Sequence, residues 1–397
     1  MVQVENEVGL LGDSRDGSEA ANKLFAEPVP SQLVSHLAEN WEALHADFKI
    51  KFPNLETIVK ETAAKDIQIS WEELFGKGPE TDELFMAYHY AIYLEEVASA
   101  GRKEYPIPLY TNVWQNSFGA GSNNSSTVVA GGGGNPGDYP SGGGVSHVID
   151  IWHRFAPSLD FISPDIYLND YASSCSKYRH AGQPLFVPEQ RRDEYGARRI
   201  WKAYGSYQAL GCSPFGIDTL EPENNAFTRH YKLLASVSKI VLDAQLRPGS
   251  SIGFFFDELE ADGRDTSIAT VAKFGDFEVT INRCFVFGKP GPGAGMLINT
   301  GPGKFLLIGW GFQAEFKSIN SKSEFTGILS MTEKSVVDKE NGTLRTERRL
   351  NGDETRSGKY CMMPNENPDY GGFPICVTIP ARTMIAEVEV YSLEEDS

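Results

Sequence analysis

The first 248 residues alternate between short apolar runs and longer amphipathic segments. The apolar runs predict strands at residues 2–5, 107–114, 160–167, 184–188 and 213–217. Between them, apolar side chains recur with the 3.6-residue period of a helix, as at Leu84, Tyr88 and Ala91. We expect Gly101 to end that helix. Alternating strands and helices are typical of a parallel α/β fold, either a barrel or an open doubly wound sheet.

The pattern changes near Gly249, where helical periodicity gives way to short strands. The predicted strands there cover residues 252–256, 277–281, 296–299, 305–308, 373–379 and 386–391. Gly-Pro-Gly and Asn-Gly turns separate them. The sequence therefore predicts an α/β domain over residues 1–248 and an all-β domain, most simply a β-sandwich, over residues 249–397.

Residues 117–144 are rich in glycine, serine and asparagine, with four consecutive glycines at 131–134. A phosphate-binding loop would continue into Gly-Lys-Ser/Thr and a helix, and neither follows here. We expect a long flexible loop that folds over a site.

The charge balance removes several classes of function. The chain has 397 residues, with 36 Lys+Arg against 54 Asp+Glu and a net charge of −18. Nucleic acids and anionic membranes need a basic surface, so we expect neither as a partner. No apolar run approaches the ~20 residues that span a bilayer.

The five cysteines are scattered and contain no Cys-x-x-Cys spacing, so neither a zinc site nor a disulfide framework is predicted. We expect buried thiols, with Cys361 and Cys376 able to pair if the protein is secreted. Asn123, Asn124 and Asn341 each open an Asn-x-Ser/Thr sequon, which is weak evidence for a secretory route. Secreted and cytoplasmic locations both stay open.

Polar and aromatic residues gather where the predicted strands end, which is where parallel α/β folds place reactive groups. Glu7 and Glu189 follow two different strands. A retaining glycosidase needs such a pair, one an acid/base and the other a nucleophile ~5–5.5 Å away. The candidates for binding the sugar are Asn6, Tyr110, Asn112, Trp114, Asp165 and Tyr167.

The same residues also have a purely structural interpretation. A glutamate at a strand end is more often solvated or paired with a cation than catalytic. Arg191, Arg192, Arg198 and Arg199 follow Glu189 closely and could neutralise it. Asp218, after the last predicted strand, is a weaker candidate of the same kind.

A resemblance favours the catalytic interpretation. Residues 2–9, Val-Gln-Val-Glu-Asn-Glu-Val-Gly, resemble the Asn-Glu-Tyr-Gly acid/base motif of β-galactosidases in glycoside hydrolase families 35 and 42, except that Val8 replaces the usual aromatic residue. Further segments resemble the same group at residues 11–17, 136–139, 145–167 and 186–193. In that clan the acid/base follows barrel strand four and the nucleophile strand seven. The resemblance therefore implies that Glu7 is the acid/base, Glu189 the nucleophile and Asn6 a sugar ligand.

We therefore expect a retaining β-galactosidase that acts on a β-galactoside oligosaccharide or polysaccharide, with no metal or organic cofactor. Two alternatives stay open: a non-catalytic carbohydrate-binding remnant, and another glycosidase of the clan, of the β-mannosidase or endo-glucanase type. A homo-oligomer also stays open.

Counting strands from the resemblance identifies those of the first domain as strands four to eight of a (β/α)8 TIM barrel. We expect strands one to three to be missing, either because the chain is truncated, which we favour, or because it is a remnant or is completed by another chain. Such barrels usually use the missing strands to bind the terminal sugar, so activity of this chain alone is an open question.

Overall fold

The computed structural model describes residues 1–116, 132–284, 290–350, 352–365 and 382–394. Internal contacts divide the chain into two compact units. The first unit is Met1–Gln190 with Gly211–Ser213, and the second is Arg191–Leu210 with Pro214–Ser397. The predicted boundary between residues 248 and 249 stays a prediction.

All five strands predicted for the first domain are present, three of them shorter than predicted and the last two shifted by two or three residues. They are β1 (Val2–Gln3), β2 (Leu109–Trp114), β3 (Phe161–Asp165), β4 (Phe186–Gln190) and β5 (Gly211–Pro214). β1, β2 and β3 pair in parallel in chain order, and Ile166 forms a parallel bridge with Gln190 of β4. β4 also pairs with β5, and the described strands do not close into a barrel.

Helices alternate with these strands along the first unit. They are α1 (Glu19–Phe25), α2 (Ser31–Asn40), α3 (Ala46–Lys51), α4 (Leu55–Ala64), α5 (Trp71–Phe75), α6 (Pro79–Glu104), α7 (Ile149–Phe155) and α8 (Tyr171–Lys177), with 3-10 turns at Trp41–Ala43 and His180–Gly182. The expectation that Gly101 ends α6 is wrong, because the helix runs on to Glu104. Arg102 secures the extra turn by binding the Asp160 carboxylate at 2.6 Å and the Ser158 carbonyl at 2.7 Å.

The described part of the glycine-rich segment packs closely against the first unit. Residues 132–144 are mostly buried, and Leu10 and Ser141 exchange two backbone hydrogen bonds. Gly142 adopts a φ of +85°, and a Cβ there would lie 2.5 Å from the Cβ of Met86 in α6. Residues 132–144 contain no helix or strand and so form a loop, as predicted, while residues 117–131 lie outside the described residues. The predicted flexibility stays a prediction.

The second unit begins with helices and continues as antiparallel strands. The helices are α9 (Glu194–Tyr207), α10 (Ala226–Ser236) and α11 (Ser238–Gln245), with 3-10 turns at Ile217–Thr219 and Gly352–Glu354. The strands are β6 (Ser251–Phe256), β7 (Thr270–Phe274), β8 (Phe277–Arg283), β9 (Gly293–Gly301), β10 (Lys304–Trp310), β11 (Phe312–Ser318), β12 (Ser323–Asp338), β13 (Thr343–Leu350), β14 (Cys361–Met363) and β15 (Ile385–Glu394).

These strands form two sheets, in the orders β13-β12-β15-β10-β9-β6 and β14-β11-β8-β7. Phe254, Phe305 and Val388 of the first sheet share one apolar core with Val279 and Phe312 of the second. The core explains why these strands alternate apolar and polar residues, since successive side chains point to opposite faces. The strand predicted at 373–379 lies outside the described residues.

Two further sequence features can be placed. Cys175, Cys212, Cys284 and Cys361 are buried, as expected, whereas Cys376 lies outside the described residues and its pairing stays a prediction. Of the sequons, only Asn341 is described, and it lies exposed in the turn between β12 and β13. Among the described helices none is long and apolar enough to cross a membrane.

Candidate active site

The chain leaves β1 through a tight turn that fixes Glu7. Glu5 and Glu7 both adopt left-handed backbone conformations, with φ of 59° and 46°. This conformation is uncommon and unfavourable for residues with a Cβ, so the surroundings must hold it. The Val4 amide donates to the Tyr110 carbonyl at 2.7 Å, and the Glu7 amide donates to Asn112 Oδ1 at 2.9 Å. The turn is therefore anchored to β2 on both sides of Glu5.

Asn112, on β2, connects three strand ends. Its side chain is almost fully buried. Its Oδ1 accepts from the Glu7 amide, while its Nδ2 donates to Asn6 Oδ1 at 3.0 Å and to Asp165 Oδ2 at 2.8 Å. Each polar atom of the amide has a partner that only this orientation satisfies, so the side chain is locked.

Three carboxyl groups meet beside Asn112. One oxygen each from Glu7, Asp165 and Glu189 lie within 4.8 Å of one another, at the ends of β1, β3 and β4. Within the described residues, no lysine or arginine forms an ion pair with any of them. Like charges this close cannot all be ionised at neutral pH, so the cluster must retain protons.

The environment distributes these protons unevenly. Burial, followed by the charges of Glu189 and Glu7, raises the pKa of Asp165 to about 10, against a lowering contribution from Asn112. Partial burial also raises the pKa of Glu7, where the hydrogen bond with Asp165 works in the opposite direction and the charge of Glu189 adds to the rise. Asp165 is therefore a neutral carboxylic acid near pH 7, and Glu7 keeps its proton to a higher pH than an exposed glutamate.

Glu189 has a different partner. The Tyr167 hydroxyl donates to Glu189 Oε2 at 2.8 Å, and the Ile166 amide donates to the Glu189 carbonyl at 2.9 Å. The second bond brings the end of β3 against β4, which places Tyr167 beside the carboxyl group. Burial and the hydrogen bond to Glu189 raise the pKa of Tyr167, so the phenol keeps its proton and remains a donor.

Three carboxylates also provide oxygen donors of the kind that hard cations bind. Burial and the charges of Glu189 and Glu7 favour the neutral form of Asp165, whereas a bound cation would favour its ionised form. Asp165 and Glu189 already accept hydrogen bonds from Asn112 and Tyr167. These hydrogen bonds fit a group of acids that share protons.

The structure brings Asn6, Glu7, Asn112, Asp165, Tyr167 and Glu189 together, as the strand-end argument predicted. Tyr110 lies near them but is buried, with its ring stacked on Phe161 at 5.4 Å. Trp114 is half-buried, and its Nε1 has no hydrogen-bond partner among the described residues. That any of these residues binds a sugar stays a prediction.

Sequence reasoning missed Gln115, which donates from Nε2 to the Asp165 carbonyl at 2.8 Å. The available signal was its position directly after β2. The four arginines considered as alternative partners of Glu189 have other partners in the second unit: Arg191 binds Asp193, Arg192 donates to Thr219 Oγ1, and Arg198 and Arg199 bind Asp257.

Comparison with known proteins adds one match. The model of a family described as a domain of unknown function, DUF5597, matches residues 227–362, all within the second unit. No curated protein matches the chain.

Proposed function

We propose that the chain is a retaining glycoside hydrolase, specifically a β-galactosidase that releases terminal β-galactosyl residues by double displacement. The observation that carries this proposal is the close approach of the Glu7 and Glu189 carboxyl groups, within 4.8 Å, at the ends of separate strands. Retaining enzymes need a separation of ~5–5.5 Å, whereas inverting enzymes leave ~6.5–9.5 Å for a water molecule.

The proposed fold is a partial (β/α)8 barrel followed by a β-sandwich domain, with β1 to β5 as barrel strands four to eight. Support comes from the parallel pairing of β1, β2 and β3 in chain order and from the two antiparallel sheets that share a core. In this assignment Glu7 follows strand four and Glu189 belongs to strand seven.

In the first step, Glu189 attacks the anomeric carbon while Glu7 gives its proton to the glycosidic oxygen. The glycosidic bond breaks and a glycosyl ester forms on Glu189. In the second step, Glu7 takes a proton from water, the water oxygen attacks the anomeric carbon, and the ester bond breaks to restore Glu189. The raised pKa of Glu7 suits the acid role.

Tyr167 and Asn6 serve this chemistry by position. The Tyr167 hydroxyl holds the Glu189 carboxylate in one orientation for attack. Asn6, with its Oδ1 accepting from Asn112 and Gln3, has its Nδ2 available in our proposal for the 2-hydroxyl of the sugar. The choice of galactose rests on the resemblance of residues 2–9, so β-mannosides and β-glucans belong in the same substrate panel.

The test is hydrolysis of chromogenic β-glycosides by the wild-type chain and by Glu189→Ala. We expect a β-galactoside to be cleaved, Glu189→Ala to be inactive, and azide to restore part of the activity by replacing the carboxylate as nucleophile. Glu104→Gln, a change at an exposed helix end, is the control and should match the wild type.

A 2-deoxy-2-fluoroglycoside gives an independent readout, because it traps the glycosyl ester after a single attack. Mass spectrometry should locate the adduct on Glu189. Binding of β-galactosides without turnover or adduct would favour the non-catalytic alternative. An adduct or full activity in Glu189→Ala would refute the assignment of the nucleophile.

A further inference from the structure

Asp165 is buried beside the two glutamates, and only one of its carboxyl oxygens is satisfied. Oδ2 accepts from Asn112 Nδ2 at 2.8 Å, whereas Oδ1 is buried and accepts from no donor in the described part of the chain. An ionised carboxylate would leave that oxygen desolvated and unpaired, which is strongly unfavourable. A hydroxyl at Oδ1 removes the problem, provided that it has an acceptor.

Glu7 offers that acceptor. One of its carboxyl oxygens lies within 4.8 Å of an Asp165 carboxyl oxygen in the same cluster, and a hydrogen bond between the two carboxyl groups is among the causes that raise the pKa of Asp165. The other titratable groups that face Asp165 are Glu189, Tyr110, Tyr167 and Tyr178. None of them is a cation, so nothing in this set would stabilise a second negative charge at Asp165.

We propose that Asp165 is a permanently protonated positioning residue. One of its carboxyl oxygens accepts a hydrogen bond from Asn112 Nδ2, and the other donates a hydrogen bond to Glu7. This inference rests on the proposed function and deepens it, because it makes Asp165 a partner of the acid/base Glu7 rather than a ligand of the sugar.

The consequence for catalysis follows from the charge that Glu7 acquires. When Glu7 delivers its proton to the glycosidic oxygen it becomes a carboxylate, and the bond from Asp165 becomes charge-assisted and stronger. The proton of Asp165 stays on Asp165 throughout. Asp165 thereby makes Glu7 a stronger acid than burial alone would allow, and it holds the Glu7 carboxylate in place for the second step.

Two substitutions separate this role from a negatively charged Asp165. Asp165→Asn stays neutral, and its amide can donate to Glu7 while its carbonyl accepts from Asn112. Asp165→Leu removes the donor. The basic limb of the pH profile of kcat/KM reports deprotonation of Glu7. We expect this limb to stay within ~0.5 pH unit of the wild type in Asp165→Asn. In Asp165→Leu it should move up by ~1 pH unit, and kcat should fall ~10-fold or more.

A charged Asp165 predicts the opposite sign. Removing a negative charge beside Glu7 would lower the pKa of Glu7, so the basic limb would move to lower pH in both variants. That result overturns the proposal, and so does an unchanged profile in Asp165→Leu.

A measurement without substrate separates this proposal from the proposed function. The infrared difference spectrum between wild type and Asp165→Asn at pH 7 should show the loss of one protonated carboxyl band. The absence of that band refutes a neutral Asp165, whatever the activity. A wild-type chain that shows the band but cleaves no glycoside and forms no adduct refutes the glycosidase proposal and leaves the protonation of Asp165 supported.

Discussion

Asn112→Ala tests the hydrogen bonds that assemble the site. The substitution deletes three hydrogen bonds and leaves two groups without their partner, the Glu7 amide and Asp165 Oδ2. An unsatisfied buried polar group costs ~1–3 kcal/mol. Because the surroundings of Glu7 are only half-buried, its amide belongs near the lower end of that range. The expected loss in the free energy of unfolding is about 3 kcal/mol.

Thr111→Val is the matched control on the same strand. Thr111 is also buried, but its Oγ1 has no hydrogen-bond partner among the described residues. Replacing that hydroxyl with a methyl group should therefore change stability by less than ~0.5 kcal/mol or increase it slightly. The comparison separates the contribution of the Asn112 hydrogen bonds from the general cost of a substitution in β2.

Urea denaturation gives the stability of both variants, and hydrogen exchange read by mass spectrometry gives a local readout. In Asn112→Ala the peptide that contains Glu7 should exchange faster than in the wild type, because its anchored amide is released. If Asn112→Ala costs no more than Thr111→Val, or if exchange around Glu7 is unchanged, Asn112 does not hold the turn.

Two further predictions concern packing and electrostatics away from the carboxyl groups. Gly142→Ala should lower the free energy of unfolding by about 2 kcal/mol or more, because the new Cβ would collide with Met86. Gly12 has a similar φ of +88° but nothing within 4 Å of the position of a Cβ, so Gly12→Ala should cost only about 1 kcal/mol of backbone strain. Urea denaturation of both variants measures the difference. The hydrogen bond with Arg283 lowers the pKa of Asp265 to about 2, so the stabilising contribution of Asp265 is nearly complete above pH ~4 and is lost as the pH falls through 2. Since Asp265 is partly exposed, Asp265→Asn should cost at most about 1 kcal/mol at pH 7 and much less at pH 2 in urea titrations. An equal cost at both pH values would contradict the ion-pair explanation.

The strand-end rule predicted the meeting of Glu7, Asp165 and Glu189 because it depends only on chain direction. Carboxyl ends of parallel strands share one edge, so residues far apart in sequence are brought together once strands are recognised. The rule contains no information on side-chain partners. The left-handed turn at Glu5 and Glu7 therefore stayed out of reach, since nothing in the local sequence marks a positive φ in a residue other than glycine.

The sequence pattern did not predict β12 and β13 of the second unit, and the reason there is different. β12 and β13 contain many charged and hydroxyl side chains, and much of their surface is exposed. Such strands are stabilised by pairing with neighbours and lack an apolar face that a sequence pattern reveals. The Asn341-Gly342 turn between them was the available signal, because Asn-Gly favours a tight hairpin. Tertiary contacts also explain why α6 continues past Gly101. The hydrogen bonds of Arg102 with Asp160 and Ser158 outweigh the low helix propensity of Gly101.

The negative potential of the cluster formed by Glu7, Asp165 and Glu189 also constrains the substrate. Three acids lie within 4.8 Å, their described surroundings contribute no ion-paired lysine or arginine, and the chain as a whole carries a net charge of −18. A uronic acid or another anionic sugar would meet uncompensated negative potential there, whereas a neutral glycoside would not. The same potential disfavours ionisation of Glu7 and so supports the form that can protonate a leaving group. Retained protons and a neutral substrate thus follow from one feature, the lack of a lysine or arginine ion-paired with these carboxyls in the described structure.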